Sequence, residues 1–345
     1  VYKLLQSKIV THGDVAKILT QHFNFVEIKQ PHYLKGQTSR KQKLMAMISD
    51  FFFVLRNAKK ISGAEVLVGV GYVAIPIRLL IWLNLIRCQR FVWLGFLIQN
   101  KGLFNYYRRF IHTIPVSRQT FVLNADTDIP VYARKLRLPP SSFTYLPVVD
   151  IQEVAGSPDF SSAEADAYYF AGGYSNRDYQ PLIEAFRSIP HQLVVVGSHV
   201  NPELNQLSDL PRHITVKQDI PKAEFEALVR GAKACILPLK EEVGASGQRV
   251  MNSYMRNGKL IIAVEMRITQ QYLQAGANGY LYKNATTDLP TIIQDIEENP
   301  EKGERMKQRA YTFYQQNLTL PALLKSIEKN LLNKVPPQPQ AVTKD

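Results

Sequence analysis

The stretch Tyr168-Tyr169-Phe170-Ala171-Gly172-Gly173-Tyr174-Ser175-Asn176-Arg177-Asp178-Tyr179 decides how this chain is read. Apolar and aromatic residues run into two glycines. A polar turn and an arginine follow, then the helix-like run Pro181-Leu182-Ile183-Glu184-Ala185-Phe186. The order is strand, Gly-rich turn, helix start. Backbone N–H groups at such a helix mouth point outward, and the helix dipole favours an anion there. Gly172 and Gly173 let the backbone come close to a phosphate, and Arg177 adds a fixed positive charge. The stretch reads as a diphosphate cradle, although a Gly-Gly pair after a strand also serves simply as a tight turn. Gly-x-Gly-x-x-Gly is absent from it, which argues against a nicotinamide or flavin enzyme.

A second cradle is Leu237-Pro238-Leu239-Lys240-Glu241-Glu242-Val243-Gly244-Ala245-Ser246-Gly247-Gln248. The apolar run Ala234–Leu237 before it is a short buried strand. Val250–Met255 after it continues as a helix, Gly258 fits that helix's C-cap, and Leu260–Val264 is the next strand. Ser246 and Gly247 offer backbone N–H groups at the helix start.

With these residues the chain resembles a GT-B glycosyltransferase, most similar to the retaining family 4 group. Ser246-Gly247-Gln248, Gly258-Lys259 and Asn278-Gly279-Tyr280-Leu281-Tyr282 carry the resemblance. Asp126-Thr127-Asp128 through Tyr145-Leu146-Pro147-Val148-Val149-Asp150 resembles the end of that family's first domain. The resemblance implies an α/β fold of two Rossmann-like, doubly wound domains facing a cleft, with a C-terminal helix crossing back to the first. It implies transfer of a sugar from a UDP- or GDP-sugar, retaining and without a required cofactor or metal. It assigns Gly172, Gly173, Arg177, Lys240, Ser246, Gly247 and Gln248 to the donor's phosphates and sugar. Gly197, after the strand Gln192–Gly197, and Ile220, through its backbone, flank the nucleobase. The family places one acid before the Gly-rich turn, which Glu241 or Glu242 supplies; Glu242 is the catalytic candidate. A second acid in the following helix is replaced here by Ser253, beside Asn252. That departure opens a second reading, a catalytically inactive sugar-nucleotide-binding scaffold.

The chain has 345 residues, too many for one ordinary core, so two domains are expected. Its net charge is +13, unevenly spread. Residues 1–150 hold 21 Lys+Arg against 7 Asp+Glu, a balance of +14; residues 151–345 hold 21 against 22, a balance of −1. Such asymmetry implies an anionic partner for the first half: a membrane surface, a lipid-linked acceptor or nucleic acid. No RNA-binding aromatic motif or helix-turn-helix signature supports nucleic acid. A solvated basic surface with no partner is the plainer alternative. The two cysteines, Cys88 and Cys235, lie in separate apolar runs and read as buried thiols of a reducing compartment. No Cys/His cluster has metal-ligand spacing. No leader pattern is read, so a cytoplasmic protein, peripheral on the inner face of the plasma membrane, is expected. Val66–Leu85 is apolar enough to suggest a span, but Gly69, Gly71, Pro76, Arg78 and Asn84 divide it into a strand (65–71) and a helix (75–86).

The remaining pattern alternates strands and helices, as a doubly wound parallel sheet does. Strands are predicted at 1–7, 25–29, 91–97 and 121–124. A long amphipathic helix is predicted over 39–60, with Leu44, Met47, Ile48, Phe51, Phe52 and Leu55 on one side and basic residues at its ends. Residues 145–160 read as a linker. Strands then recur at 168–171, 192–197, 214–216, 234–237, 260–264 and 279–282. A last helix is predicted over 308–331 and a disordered Pro-rich tail over 335–345. The domains are thus 1–150 (acceptor, with the last helix) and 151–307 (donor). For the acceptor, His12 follows the first strand as a candidate base, and Gln99-Asn100 ends another strand.

Overall fold

The computed structural model describes residues 1–6, 13–28, 40–98, 104–149, 158, 160, 167–207, 209–240 and 246–332. Uninterrupted apolar runs such as Val66-Leu67-Val68 and Phe91-Val92-Trp93 suit strands covered on both faces, and parallel sheets are built of these. The chain divides into two compact units, 1–147 with 323–345, and 148–322.

The first unit runs β1 (Tyr2–Gln6), α1 (Gly13–His22), β2 (Val26–Ile28), α2 (Arg40–Arg56), α3 (Ala58–Ile61), β3 (Ala64–Val70), α4 (Ala74–Trp82), β4 (Cys88–Leu94), α5 (Phe104–Ile111), β5 (Gln119–Leu123), α6 (Ile129–Leu136) and β6 (Phe143–Tyr145). Its sheet has the order β2-β1-β3-β4-β5-β6, with every pair parallel. Strand β6 was not anticipated. It is three residues long, between Pro139-Pro140 and Pro147, where the composition reads as loop.

The apolar run 66–85 is β3 followed by α4, and among the described residues no helix is long and apolar enough to cross a membrane. Arg78 in α4 is fully buried. Its Nε donates to Gln119 Oε1 at 3.2 Å and its Nη1 to Thr113 Oγ1 at 2.9 Å; Nη2 donates to the Ile111 carbonyl. Its guanidinium lies 4.5 Å from the centre of the Phe110 ring. Burial pulls its pKa down to about 10, so it stays a cation inside the unit. Helix α2 departs from the usual amphipathic arrangement. Ala46, Asp50 and Val54 face inward, while Leu44, Met47, Ile48, Phe52 and Leu55 are exposed.

The second unit runs β7 (Tyr169–Gly172), α7 (Tyr179–Arg187), β8 (Leu193–Gly197), β9 (Ile214–Gln218), α8 (Lys222–Gly231), β10 (Ala234–Leu237), α9 (Gln248–Arg256), β11 (Leu260–Val264), α10 (Arg267–Gln270), β12 (Tyr280–Tyr282), α11 (Ala285–Glu298), α12 (Pro300–Asn317) and α13 (Leu320–Ile327), which passes into the first unit at Leu323. Its sheet, order β12-β11-β10-β7-β8-β9, is parallel throughout. Numbered within the unit, this is the 3-2-1-4-5-6 order of a doubly wound nucleotide-binding sheet, whose order reverses between β7 and β10. The helix expected over 308–331 is broken at Leu318-Thr319 into α12 and α13, because Pro321 suits the first turn of a new helix but not the interior of an old one. The core joins Tyr169, Phe186, Val195, Ile236, Ile262 and Leu289. Burying one such side chain contributes about 1.5–3 kcal/mol.

Candidate functional site

In open α/β sheets, ligands bind beyond the carboxyl ends of the strands, where the order reverses. In the second unit that place lies beyond β7 and β10, and both Gly-rich loops leave from it. They are joined to each other. Arg177 and Leu239 form an isolated antiparallel bridge, Asp178 N donates to Pro238 O at 2.9 Å, and Lys240 N donates to Asn176 O at 3.2 Å. The start of the second cradle is therefore bonded to the first.

The first loop is built around Arg177, which is 5% exposed. Its Nε donates to Gly172 O at 3.1 Å and its Nη1 to Ser175 O at 2.6 Å. Gly173, at φ +115°, leaves the room for this: a Cβ there would meet the Arg177 guanidinium at 2.4 Å. The corresponding space at Gly172 is filled by the Phe225 ring of α8. In this conformation both glycines admit protein side chains. Burial, the largest influence, lowers the Arg177 pKa, and the dipoles of Tyr179, Tyr254 and Tyr174 oppose it. No carboxylate of the described residues pairs with Arg177. Among the described residues this buried cation is met by backbone carbonyls and tyrosine hydroxyls. The Tyr179 hydroxyl meets Gly173 O and, at 3.0 Å, Val196 O. Asp178 is half-buried beside Lys240; burial raises its pKa, and Lys240 opposes that.

The second loop enters α9 through Gly247, whose φ of +85° puts the N-cap in the left-handed region. The Gly247 carbonyl accepts the first helical bond from Met251 N at 2.9 Å. Ser246 is half-buried, Lys240 is exposed, and Gln248 is buried with its Nε2 donating to the Tyr272 hydroxyl at 2.8 Å. Tyr254 ties the helix to the strands: its hydroxyl accepts from Gly172 N at 3.0 Å and lies 3.5 Å from Ile236 O.

Ser253 lacks the acid that the resemblance led one to expect, but a carboxylate reaches it from α8. Glu226 accepts from Ser253 Oγ at 3.0 Å, Arg256 Nη2 at 2.9 Å and Asn257 Nδ2 at 3.2 Å. Its side chain is 13% exposed. Neighbouring Asn252 donates to Val148 O at 2.5 Å, and its Oδ1 is buried without a partner.

The loops after β8 and β9 stand next along the sheet. Asn201 braces the first, accepting from Ser198 N at 3.1 Å and donating to Tyr174 O at 3.1 Å. Leu204 packs into the space beside Gly197. Asp219 accepts from His199 N at 3.0 Å, and hydrogen bonds from Ser198 and His199 hold its carboxyl below the usual range. Ile220 is half-buried, and no described residue hydrogen-bonds its N–H or carbonyl.

The structure thus gathers Gly172, Gly173, Arg177, Lys240, Ser246, Gly247 and Gln248 beyond β7 and β10, with Gly197 and Ile220 on the loops after β8 and β9. His12 and Glu242, with Glu241, Gln99 and Asn100, lie outside the described residues. Sequence reasoning missed Glu226, Phe225, Tyr254 and Asn201. Tyr254, inside α9, and Asn201, in the loop after β8, carried no local pattern that marks them. Glu226 had no signal, since only the packing of α8 on α9 brings it to Ser253. Among the described residues no group of three or more His, Cys, Asp or Glu could hold a metal ion.

Three solved structures share the fold. Sucrose-phosphate synthase from Thermosynechococcus elongatus is 14% identical, covering 95% of this chain and 98% of that one with a TM-score of 0.68. Anabaena HepE in complex with UDP-glucose is 12% identical, covering 96% and 99%, TM-score 0.67. The lipopolysaccharide outer core galactosyltransferase WaaB, in its apo form, is 11% identical, covering 97% and 100%, TM-score 0.66. No curated protein sequence matches the chain. Residues 164–313 match the family described as Glycosyl transferases group 1. The stretch 164–313 is thus similar to a Glycosyl transferases group 1 domain, and the chain has the GT-B fold.

Proposed function

We propose that this protein transfers a hexosyl group from a nucleotide sugar to a lipid- or polysaccharide-linked acceptor at the cytoplasmic face of a membrane. The observation that carries the donor half is Arg177, a buried cation that no described carboxylate pairs with, where the two loops meet at the switch point of a doubly wound sheet. Departure of a nucleoside diphosphate develops negative charge, and preorganised donors there lower the barrier. Arg177 supplies the charge. The α9 N-terminal amides at Gly247 and Gln248 supply dipoles, and exposed Lys240 supplies a second cation. No metal is needed in this scheme. Gly197 and Ile220 border the base, Ile220 through backbone groups that no described residue hydrogen-bonds. Glu226 brings to Ser253 the carboxylate that the helix lacks, which favours an active enzyme over an inactive scaffold. Retention follows if the departing phosphate takes the acceptor proton, assisted by Glu242, with His12 serving the acceptor side.

HepE binds UDP and UDP-glucose, which supports a UDP-sugar ahead of a GDP-sugar. WaaB acts on lipopolysaccharide outer core, which supports a lipid-linked acceptor, as does the charge of +14 on residues 1–150. The second unit is the donor domain and the first the acceptor domain. A thermal-shift screen of nucleoside diphosphates and their sugars, followed by donor hydrolysis, tests this reading. Stabilisation with hydrolysis supports an enzyme. Stabilisation without turnover on any acceptor supports the scaffold.

A further inference from the structure

Helix α2 is turned the wrong way for a helix that only completes a core. At 100° per residue, Leu44, Met45, Ile48, Phe52 and Leu55 fall within an arc of about 100°. All five are exposed; Leu44 retains 59% and Phe52 52% of its surface. The inward side is Ala46, Asp50 and Val54, and Asp50 is 0% exposed. Between residues 40 and 60 the cations are Arg40, Lys41, Lys43, Arg56, Lys59 and Lys60, and Asp50 is the one acid. Lys41, Arg56, Lys59 and Lys60 are exposed, so the described outward surface of this segment presents apolar groups and positive charge, while its one acid is buried.

A contiguous exposed apolar stripe marks an interaction surface. A helix with such a stripe bordered by lysine and arginine lies in the plane of a membrane interface, apolar side in the acyl boundary and cations at the anionic headgroups. We propose that the exposed face of α2 docks this protein on an anionic lipid bilayer. The inference rests on the membrane reading above and deepens it by naming the docking element. Charge selects the occupant. A second copy would bring the same cations face to face, with the one acid of the segment buried on both sides, whereas an anionic bilayer neutralises them.

The test uses the full chain with vesicles of equal phosphatidylglycerol and phosphatidylcholine, and with pure phosphatidylcholine, at low ionic strength. The parent should co-sediment with the first and not the second, and be released by salt. Leu44→Glu/Phe52→Glu should lose at least tenfold in vesicle partition with an unchanged circular dichroism spectrum. Both positions are exposed, so folding should tolerate the change. As a second readout, Phe52→Cys carrying an environment-sensitive dye should shift to the blue on anionic vesicles, while Glu301→Cys, on the 91% exposed side chain in α12, should not. The native thiols do not compete, since Cys88 and Cys235 are buried. If the parent binds anionic vesicles but the double variant binds equally and the Phe52 dye stays unshifted, α2 is not the docking element, and the membrane reading survives. If the parent binds neither vesicle, or both equally, the proposal and that reading fall together. A parent dimer that the double variant dissociates, with no lipid binding, would make a second copy the occupant and overturn the proposal.

Discussion

Replacing Arg177 by methionine separates its two roles. The change keeps much of the side-chain volume and removes the charge and both bonds to the loop, Nε to Gly172 O at 3.1 Å and Nη1 to Ser175 O at 2.6 Å. A hydrogen bond to a charged group contributes about 1.5–3 kcal/mol, so the gross loss is about 3–6 kcal/mol. Relief from burying a cation offsets part of it, and the expected destabilisation is about 2–4 kcal/mol. Nucleoside diphosphate binding loses one charge-assisted interaction, about 1.5–3 kcal/mol, which is about 10- to 150-fold in Kd. Arg177→Lys keeps the charge without the planar fork, so it should recover part of the affinity and little of the stability. Urea unfolding and titration calorimetry with UDP and GDP, run on all three proteins, give the two quantities independently. A folded Arg177→Met protein with the parent's affinity would show that the arginine only braces the turn, and the electrostatic argument would fail.

Gly247→Val places a β-branched residue at φ +85° and its Cβ 3.1 Å from Leu237 Cδ2, so it should cost about 1–3 kcal/mol of stability and weaken nucleoside diphosphate binding, both read by the same titrations. Glu226→Ala removes a carboxylate bonded to Ser253, Arg256 and Asn257 in a site where the Arg256 and Glu226 side chains are 10% and 13% exposed, and should destabilise by about 3 kcal/mol in urea unfolding; Glu226→Gln should cost less in stability but still lower donor turnover. Asp219, Asp288 and Asp295 have carboxyls held below their ordinary value of 3.8, chiefly by hydrogen bonds from Ser198, from Asn284 N and from Lys302 respectively. Because the folded values are depressed, their stabilisation is fully present above pH 3.8 and lost as pH falls through the lower folded values; acid unfolding followed by circular dichroism should begin below that point, earlier for Asp295→Asn.

Much of the second unit was legible in its sequence. The strands at 168–171, 192–197, 234–237, 260–264 and 279–282 lie within one or two residues of β7, β8, β10, β11 and β12, because buried parallel strands are dense apolar runs ended by glycine or polar residues. Periodicity also identified α2, yet it says which residues share a side and not which side faces inward; that depends on what covers the sheet, and here Asp50 points in while Phe52 points out. In the candidate site the Gly-rich turns and Arg177 were readable from local pattern. The joining of the two loops was not, since it requires β7 and β10 to be neighbours, a property of strand order. Nor was Arg177's burial: the same residue type after a Gly-Gly turn can point to solvent or fold back under the loop. Glu226 stands 27 residues from Ser253, beyond the reach of any local motif.

The central claim is that the joined loops hold the diphosphate of a nucleotide sugar, and calorimetric titration of UDP, GDP and their sugars into the protein tests it most directly. Saturable binding of one nucleoside diphosphate with one site per chain, weakened by Arg177→Met, is the expected result; no measurable heat or stabilisation from any nucleoside diphosphate or nucleotide sugar, with the protein folded, would contradict the account.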